Sequence, residues 1–199
     1  TVNGLKTVMK KLELAYWKAV LLHKNPYTGL RYVDDAALAV VEVQNEDCVF
    51  FHFPLNPLKE GKQFPLHSKR LRERWCAWVK ARYRTDAAVK AAWGGLRGHE
   101  SLDRRELDLM AAFHLGGKGP LYEFQGQTRR AGDFIRFLAE IQREYYARRE
   151  KELRAMGYRG VTVTTAWRSG GAAADPANLW CDAAADMAAR MLSANGAKP

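Results

Sequence analysis

Glu46 stands where an acid could do chemistry. It lies in ALAVVEVQNED (residues 37–47), where five apolar residues precede Glu42 and the stretch finishes on Asn45-Glu46-Asp47. A short β-branched run accounts for a buried strand, but not for the acid inside it or the polar tip at its end. Alternate residues of a strand share a side, so Glu42, Gln44 and Glu46 are expected to point together. Glu42 lies one pleat deeper and needs a partner there. A second unusual tip, Trp167-Arg168-Ser169, closes GVTVTTAW (residues 160–167). Taken alone, an acid at a strand end is most simply a capping group, and Glu42 a structural acid paired with an arginine. His52 and His67 sit in the segment after the first strand, where they could reach a ligand or simply be satisfied surface or core groups.

The elements that must position these tips follow from periodicity. Residues 5–23 carry apolar side chains at Leu5, Val8, Met9, Leu12, Ala15, Tyr16, Ala19 and Val20, the three-and-four spacing of an amphipathic helix. Pro26 and Thr28-Gly29 end it. Residues 37–43 are expected to be a strand buried on both faces, as in parallel sheets covered by helices. FFHFPLNPLKEGKQFPLH, with three prolines, is read as a loop. Helices are expected over 68–83, over 86–93 with Thr85 as cap, over 102–115, and over 128–156 with Gly157 as the stop. The long one turns Phe134, Phe137, Leu138, Ile141, Tyr145 and Leu153 inward. Trp75, Trp78 and Trp93, at helical spacing, are core candidates. A second strand over 160–167 and a last helix covering 178–192 complete the order. Strands alternating with helices imply βα units of a parallel sheet, and two strands alone are too few to stand.

The totals bound the function. The 199 residues suffice for a sizeable core, and the 47% hydrophobic and 27% charged content is that of a soluble globular protein. No apolar run approaches the roughly 18 residues a membrane-spanning helix needs. The opening TVNGLKTVMKK lacks the basic-then-apolar order of a signal peptide and does not begin with Met, which suits a mature product or a fragment and leaves the compartment open. Cys48, Cys76 and Cys181 are widely spaced and odd in number, fitting three structural thiols and no zinc knuckle, with a single bridge left open. The net charge of +10 invites an anionic partner. Most of it, however, alternates with Glu at helical spacing in HSKRLRERWCAWVKARYR and QTRRAGDFIRFLAEIQREYYARREKELR, the pattern of a solvated helix face. Nucleic acid is therefore not the expected partner.

EVQNE preceded by ALAVV resembles the fourth-strand signature of clan A retaining glycoside hydrolases of the cellulase-like family 5 type. LLHKNPYTGLRYVDDAALAVVEVQNED resembles the helix, Asn-Pro-Tyr-Thr-Gly turn and strand of a bacterial cellulase-like subgroup, and YYARREKELRAMGYRGVTVTTAW resembles its next helix and fifth strand. The resemblance covers about two thirds of the chain. It implies an α/β fold, part of a (β/α)8 TIM barrel from helix 3 to helix 5. The chain would be one partial domain, residues 1–199: helix and turn 1–36, strand four 37–47, a helical segment 48–159, strand five 160–167, and a loop and helix 168–199. It further implies hydrolysis of β-glycosidic bonds with retention, Glu46 as general acid/base, Asn45 bonding the sugar 2-hydroxyl and Trp167 facing a pyranose ring, with no metal or cofactor. His52, from its place after the strand, is the further substrate-contact candidate. The substrate would be an oligo- or polysaccharide. The chain departs from the pattern in having no seventh strand, which carries the nucleophile in the family, and no sixth strand in MAARMLSANGAKP. The nucleophile would then come from a polypeptide carrying the remaining barrel strands.

A different reading rests on the missing nucleophile, the basic balance and the excess of helix over strand. In it the chain is a non-catalytic helical binding or scaffold module of the same origin, its partner a protein or an anionic polymer.

Overall fold

The computed structural model describes residues 2–115, 128–167 and 174–188, with the side chains of residues 2–9, 52–54 and 113–114 outside that description. The order is α1 (Val2–Leu21), β1 (Val40–Glu42), α2 (His52–Glu60), α3 (Pro65–Tyr83), α4 (Asp86–Trp93), α5 (Thr128–Ala155), β2 (Val161–Val163) and α6 (Asp175–Asp182), with short 3-10 turns at Tyr32–Asp34 and Ala112–Leu115. The expected partial barrel is not present among the described residues. Among the described residues the only sheet is β1 beside β2, parallel, in the register Val40↔Val161, Val41↔Thr162, Glu42↔Val163. The fold is helix-rich. The strand expected over 37–43 is also shorter and wetter than its run of apolar residues suggests, with Val40 48% exposed and Val41 half-buried. A strand paired along one edge has little to bury its faces against.

The chain divides into two compact units. The first comprises Thr1–Glu46, Arg143–Trp167 and Asp182–Pro199; the second comprises Asp47–Gln142 and Arg168–Cys181.

In the first unit, Leu21, Val33, Leu153, Met156 and Tyr158 form the core, with Trp17, Leu22, Leu38, Val41 and Val43 packed against it. The face of α1 turned to this core is not the expected one. Trp17 and Leu21 pack, while Leu12, Tyr16 and Val20 are left exposed. The cause lies in Glu13, which faces inward to bond Tyr145 (2.7 Å from the hydroxyl) and pair with the buried guanidinium of Arg149. Arg149 also pairs with Glu152 and lies over the Tyr145 and Trp17 rings at 5.2 and 5.8 Å. Burial, with the Glu13 carboxylate beside it, pushes the Tyr145 hydroxyl up to about 12. Gly157 ends α5 as expected, at φ +99, with the Tyr158 amide returning to Leu153 O.

In the second unit, Trp75 is fully buried and stacks on Trp78 (5.6 Å) and Trp93 (5.7 Å), with Phe134 and Phe137 at 5.0 and 5.2 Å. Thr85 caps α4 as expected, its hydroxyl accepting from Ala88 N at 3.2 Å. Two expectations fail here. The proline-rich segment read as a loop contains α2. Pro54 falls in its first turn, where no amide is missed, and Gly61 closes it at φ +75 by donating to Pro57 O at 2.9 Å. Conversely, residues 102–111 are not helical. Asp86 draws in the amides of Leu102 (2.5 Å) and Asp103 (3.3 Å), and Glu100 takes those of Arg97 (3.0 Å) and Asp108 (2.9 Å). Carboxylates thus replace the carbonyls a helix would use.

Candidate functional site

The strand tips belong to the first unit. Pairing continues past β1 through Val43 N to Val163 O (2.8 Å) and Gln44 N to Thr164 O (3.0 Å), and residues 45–46 and 166–167 follow the carboxyl ends of the two parallel strands. There the backbone leaves the pleat: Glu46 has φ +44, in the left-handed region. The expected alternation of Glu42, Gln44 and Glu46 on one side therefore breaks at Glu46. Asn45 and Glu46 are both exposed. Among the described residues Glu46 has no hydrogen-bond or ion-pair partner.

Glu42 is not the buried acid paired with arginine that the strand pattern suggests. It is exposed, and its Oε1 accepts from Ala166 N at 2.8 Å, tying the tip of one strand to the other. Trp167 is half-buried, its amide donating to Thr165 Oγ1 at 3.2 Å. Arg168 and Ser169 lie outside the described residues. His52 belongs to the second unit, where its backbone opens α2 and its side chain lies outside the description. His67 packs edge-on to Phe64 at 6.3 Å.

The far side of β2 is held by acids. Asp182 accepts from Thr164 Oγ1 at 2.8 Å, and Asp186 accepts from the Thr162 amide at 2.9 Å and hydroxyl at 3.0 Å. The Thr162 amide, with the hydroxyl and Arg154, holds the Asp186 carboxyl below its ordinary value. Arg154 pairs with Asp186 and donates to Tyr158 O (3.1 Å) and Gly160 O (2.8 Å). The expected last helix stops at Asp182, and Met187 N then reaches Thr162 O at 3.1 Å in an isolated parallel bridge. Pairing along the second edge of β2 therefore begins in a stretch read as carrying no strand. Residues 189–192, also expected to be helical, lie outside the described residues.

Cys48, Cys76 and Cys181 are buried and form no disulfide. Among the described residues no group of three or more His, Cys, Asp or Glu could hold a metal ion, and no helix is long and apolar enough to cross a membrane. A cavity in the second unit, not expected from the sequence, is lined by Lys69, Arg70, Arg72 and Arg105. The signal was available in SKRLRER (residues 68–74), where basic residues outnumber acids.

Comparison with protein-family models, with curated proteins and with solved structures gave no match.

Proposed function

We propose that the tip of β1 supplies the proton-transfer half of a retaining glycoside hydrolase site acting on the β-glycosidic bonds of a carbohydrate. Glu46 is its general acid/base, Asn45 bonds the sugar 2-hydroxyl, and Trp167 offers part of its ring to a pyranose. One observation supports the reading: β1 and β2 run parallel, so Asn45-Glu46 and Ala166-Trp167 both follow the carboxyl ends of adjacent strands, with Glu42 Oε1 accepting from Ala166 N at 2.8 Å. Crevices at such ends are where open parallel sheets bind ligands. The exposed carboxylate and the half-buried indole then share one tip.

In the reaction, the Glu46 carboxyl gives its proton to the leaving glycosidic oxygen while a second carboxylate attacks the anomeric carbon. The resulting glycosyl ester is opened by water, which loses a proton to the Glu46 carboxylate. Glu42 is given no such role, its Oε1 accepting from the Ala166 amide and tying the two strand ends together. The second carboxylate belongs to polypeptide outside this chain.

The exposed Glu46, unpartnered among the described residues, also suits a second reading, in which the tip binds carbohydrate without cleaving it. That role is distinct from that of a module for a protein or anionic polymer. The test is hydrolysis of an aryl β-glycoside by this chain combined with the polypeptide that carries the second carboxylate, with native Glu46 and with Glu46→Gln. Loss of a general acid/base costs about 10²–10⁴-fold, and azide should restore turnover of an activated substrate if Glu46 has that role. Saturable oligosaccharide binding without turnover, weakened by Trp167→Ala, would select the binding module. Equal hydrolysis by Glu46→Gln would remove Glu46 from the mechanism.

A further inference from the structure

In the second unit, α2 ends at Gly61 and α3 starts at Pro65, and a cavity of about 760 Å³ opens beside the junction. That volume falls within the range of small-molecule sites, about 300–1,000 Å³. Lys69, Arg70 and Arg72 line it from α3 and Arg105 from the turn that follows Leu102, against only two carboxylates, Glu60 and Glu73. Arg70 is matched by Glu73 at 2.8 Å. Among the described residues, Lys69, Arg72 and Arg105 have no ion-pair partner.

Two features make this more than a basic surface. Arg72 Nε is buried and finds no hydrogen-bond acceptor among the described residues, and a donor so placed is expected to meet a ligand, an ion or water. Arg105 is held at φ +59, a left-handed conformation that a side chain disfavours. Both guanidinium charges are also felt at one neighbour. Burial raises the Cys76 thiol above its ordinary value, while the charges of Arg72 and Arg105 pull it back.

We propose that this cavity binds the phosphoryl group of a small phosphate ester, with Arg72 and Arg105 as the principal donors and Lys69 as a third charge. Guanidinium groups match phosphate oxygens in charge and in the geometry of their paired N–H donors. The free charge is gathered in one concave site rather than strung along the helix. Further along α3, Lys80 pairs with Asp103 at 2.6 Å and Arg82 approaches Asp133 at 3.6 Å. An extended polymer would meet acids there. Among the described residues, a compact anion meets three cations without ion-pair partners and one unmatched carboxylate, Glu60.

The test is titration of the whole protein with inorganic phosphate, pyrophosphate and glucose 6-phosphate, followed by calorimetry and amide chemical shifts, against sodium chloride at matched ionic strength. Saturable binding is expected, weakened about tenfold or more in Arg72→Gln and in Arg105→Gln, since each removes a charge-assisted contact. Glu73→Gln, which frees Arg70, is expected to tighten binding severalfold and guards against misfolding of the arginine variants. A response that chloride reproduces, or that all three variants leave unchanged, would overturn the proposal. So would tight binding of a short single-stranded RNA, steeply salt-dependent and undisplaced by phosphate, because the charge would then serve a polymer backbone.

Discussion

Arg130 and Glu100 form a buried, two-pronged ion pair in the second unit, the guanidinium donating to the two carboxylate oxygens at 2.9 and 2.5 Å while lying 4.9 Å from the centre of the Trp93 ring. Arg130 also donates to Asp108 O at 3.1 Å, and Glu100 takes two backbone amides. The pair thus fixes the irregular segment 97–108 onto α5. Trp93 is held from its other edge by Asp133, 2.9 Å from its indole nitrogen.

Breaking this pair should be costly because the surviving charge stays buried. Glu100→Gln or Arg130→Met is expected to destabilise by about 3–5 kcal/mol, and replacing both by apolar residues by less. The pH dependence has a sign. Burial alone would raise the Glu100 carboxyl, but the hydrogen bonds from Arg130, its charge and the Arg97 and Asp108 amides outweigh it, and the folded value lies below the ordinary 4.5. The stabilisation is therefore complete above 4.5 and lost as the pH falls through the lower folded value. Urea unfolding across the acid range checks this: the native protein should lose stability more steeply than Glu100→Gln.

Asp86 should matter through the turn it organises. Its carboxylate accepts from Ser101 Oγ (2.9 Å) and from the Leu102 and Asp103 amides, and these bonds outweigh partial desolvation to lower its own value. Asp86→Ala is expected to cost about 1–3 kcal/mol, the loss for donors left without an acceptor. Hydrogen exchange at the Leu102 amide should accelerate well before exchange in α4 does. Uniform protection in the variant would mean that the turn is held by its own backbone.

The same residues explain what the sequence did and did not disclose. Helices whose apolar period matches their packing were legible, as were the Thr85 cap and the Gly157 stop, because those signals are local. The 102–111 segment was not, since the carboxylates that capture its amides come from Asp86 and Glu100, one of them fifteen or more positions away from its targets. Arg130 and Arg149 were hidden for another reason. Their spacing from nearby acids is that of a solvated helix face, and only the aromatic rings beside them reveal that they are buried. The strand tips were legible by composition, but the extent of the sheet was not. Strand pairing is non-local, and apolar runs at 37–43 and 160–167 announce strands without saying how many partners they find.

Gly160 lies where the two strands begin. A Cβ there would run into the Tyr158 hydroxyl and lie 2.8 Å from Ala39 O. That hydroxyl donates to Ala39 O (3.1 Å) and Val161 O (3.0 Å), joining the start of β2 to the residue before β1. Gly160→Ala is expected to lose about 1–3 kcal/mol by overpacking. Tyr158→Phe alone should lose about 1 kcal/mol with its hydrogen bonds. In the double variant the hydroxyl clash is gone, but the ring carbon at 2.7 Å and Ala39 O at 2.8 Å still crowd the new methyl, so the two losses should sum to only slightly less than the separate values. Strict additivity in urea unfolding would mean that the methyl is accommodated elsewhere.

Glu46 offers a test in which stability and activity move in opposite directions. Its φ of +44 costs a non-glycine residue about 1–2 kcal/mol, and glycine at that position pays instead about 0.5–1 kcal/mol in chain entropy. Glu46→Gly should therefore be more stable than the native protein by about 0.5–1 kcal/mol, while Glu46→Gln, which keeps the side chain and its strain, should unfold at the native midpoint. If the acid is functional, both variants lose turnover or ligand binding alike. A stabilised Glu46→Gly that retained full function would show that the strained acid serves only the turn. A destabilised one would show that the Glu46 side chain itself holds the tip, and the left-handed backbone would then be a consequence of its packing rather than a concession to chemistry.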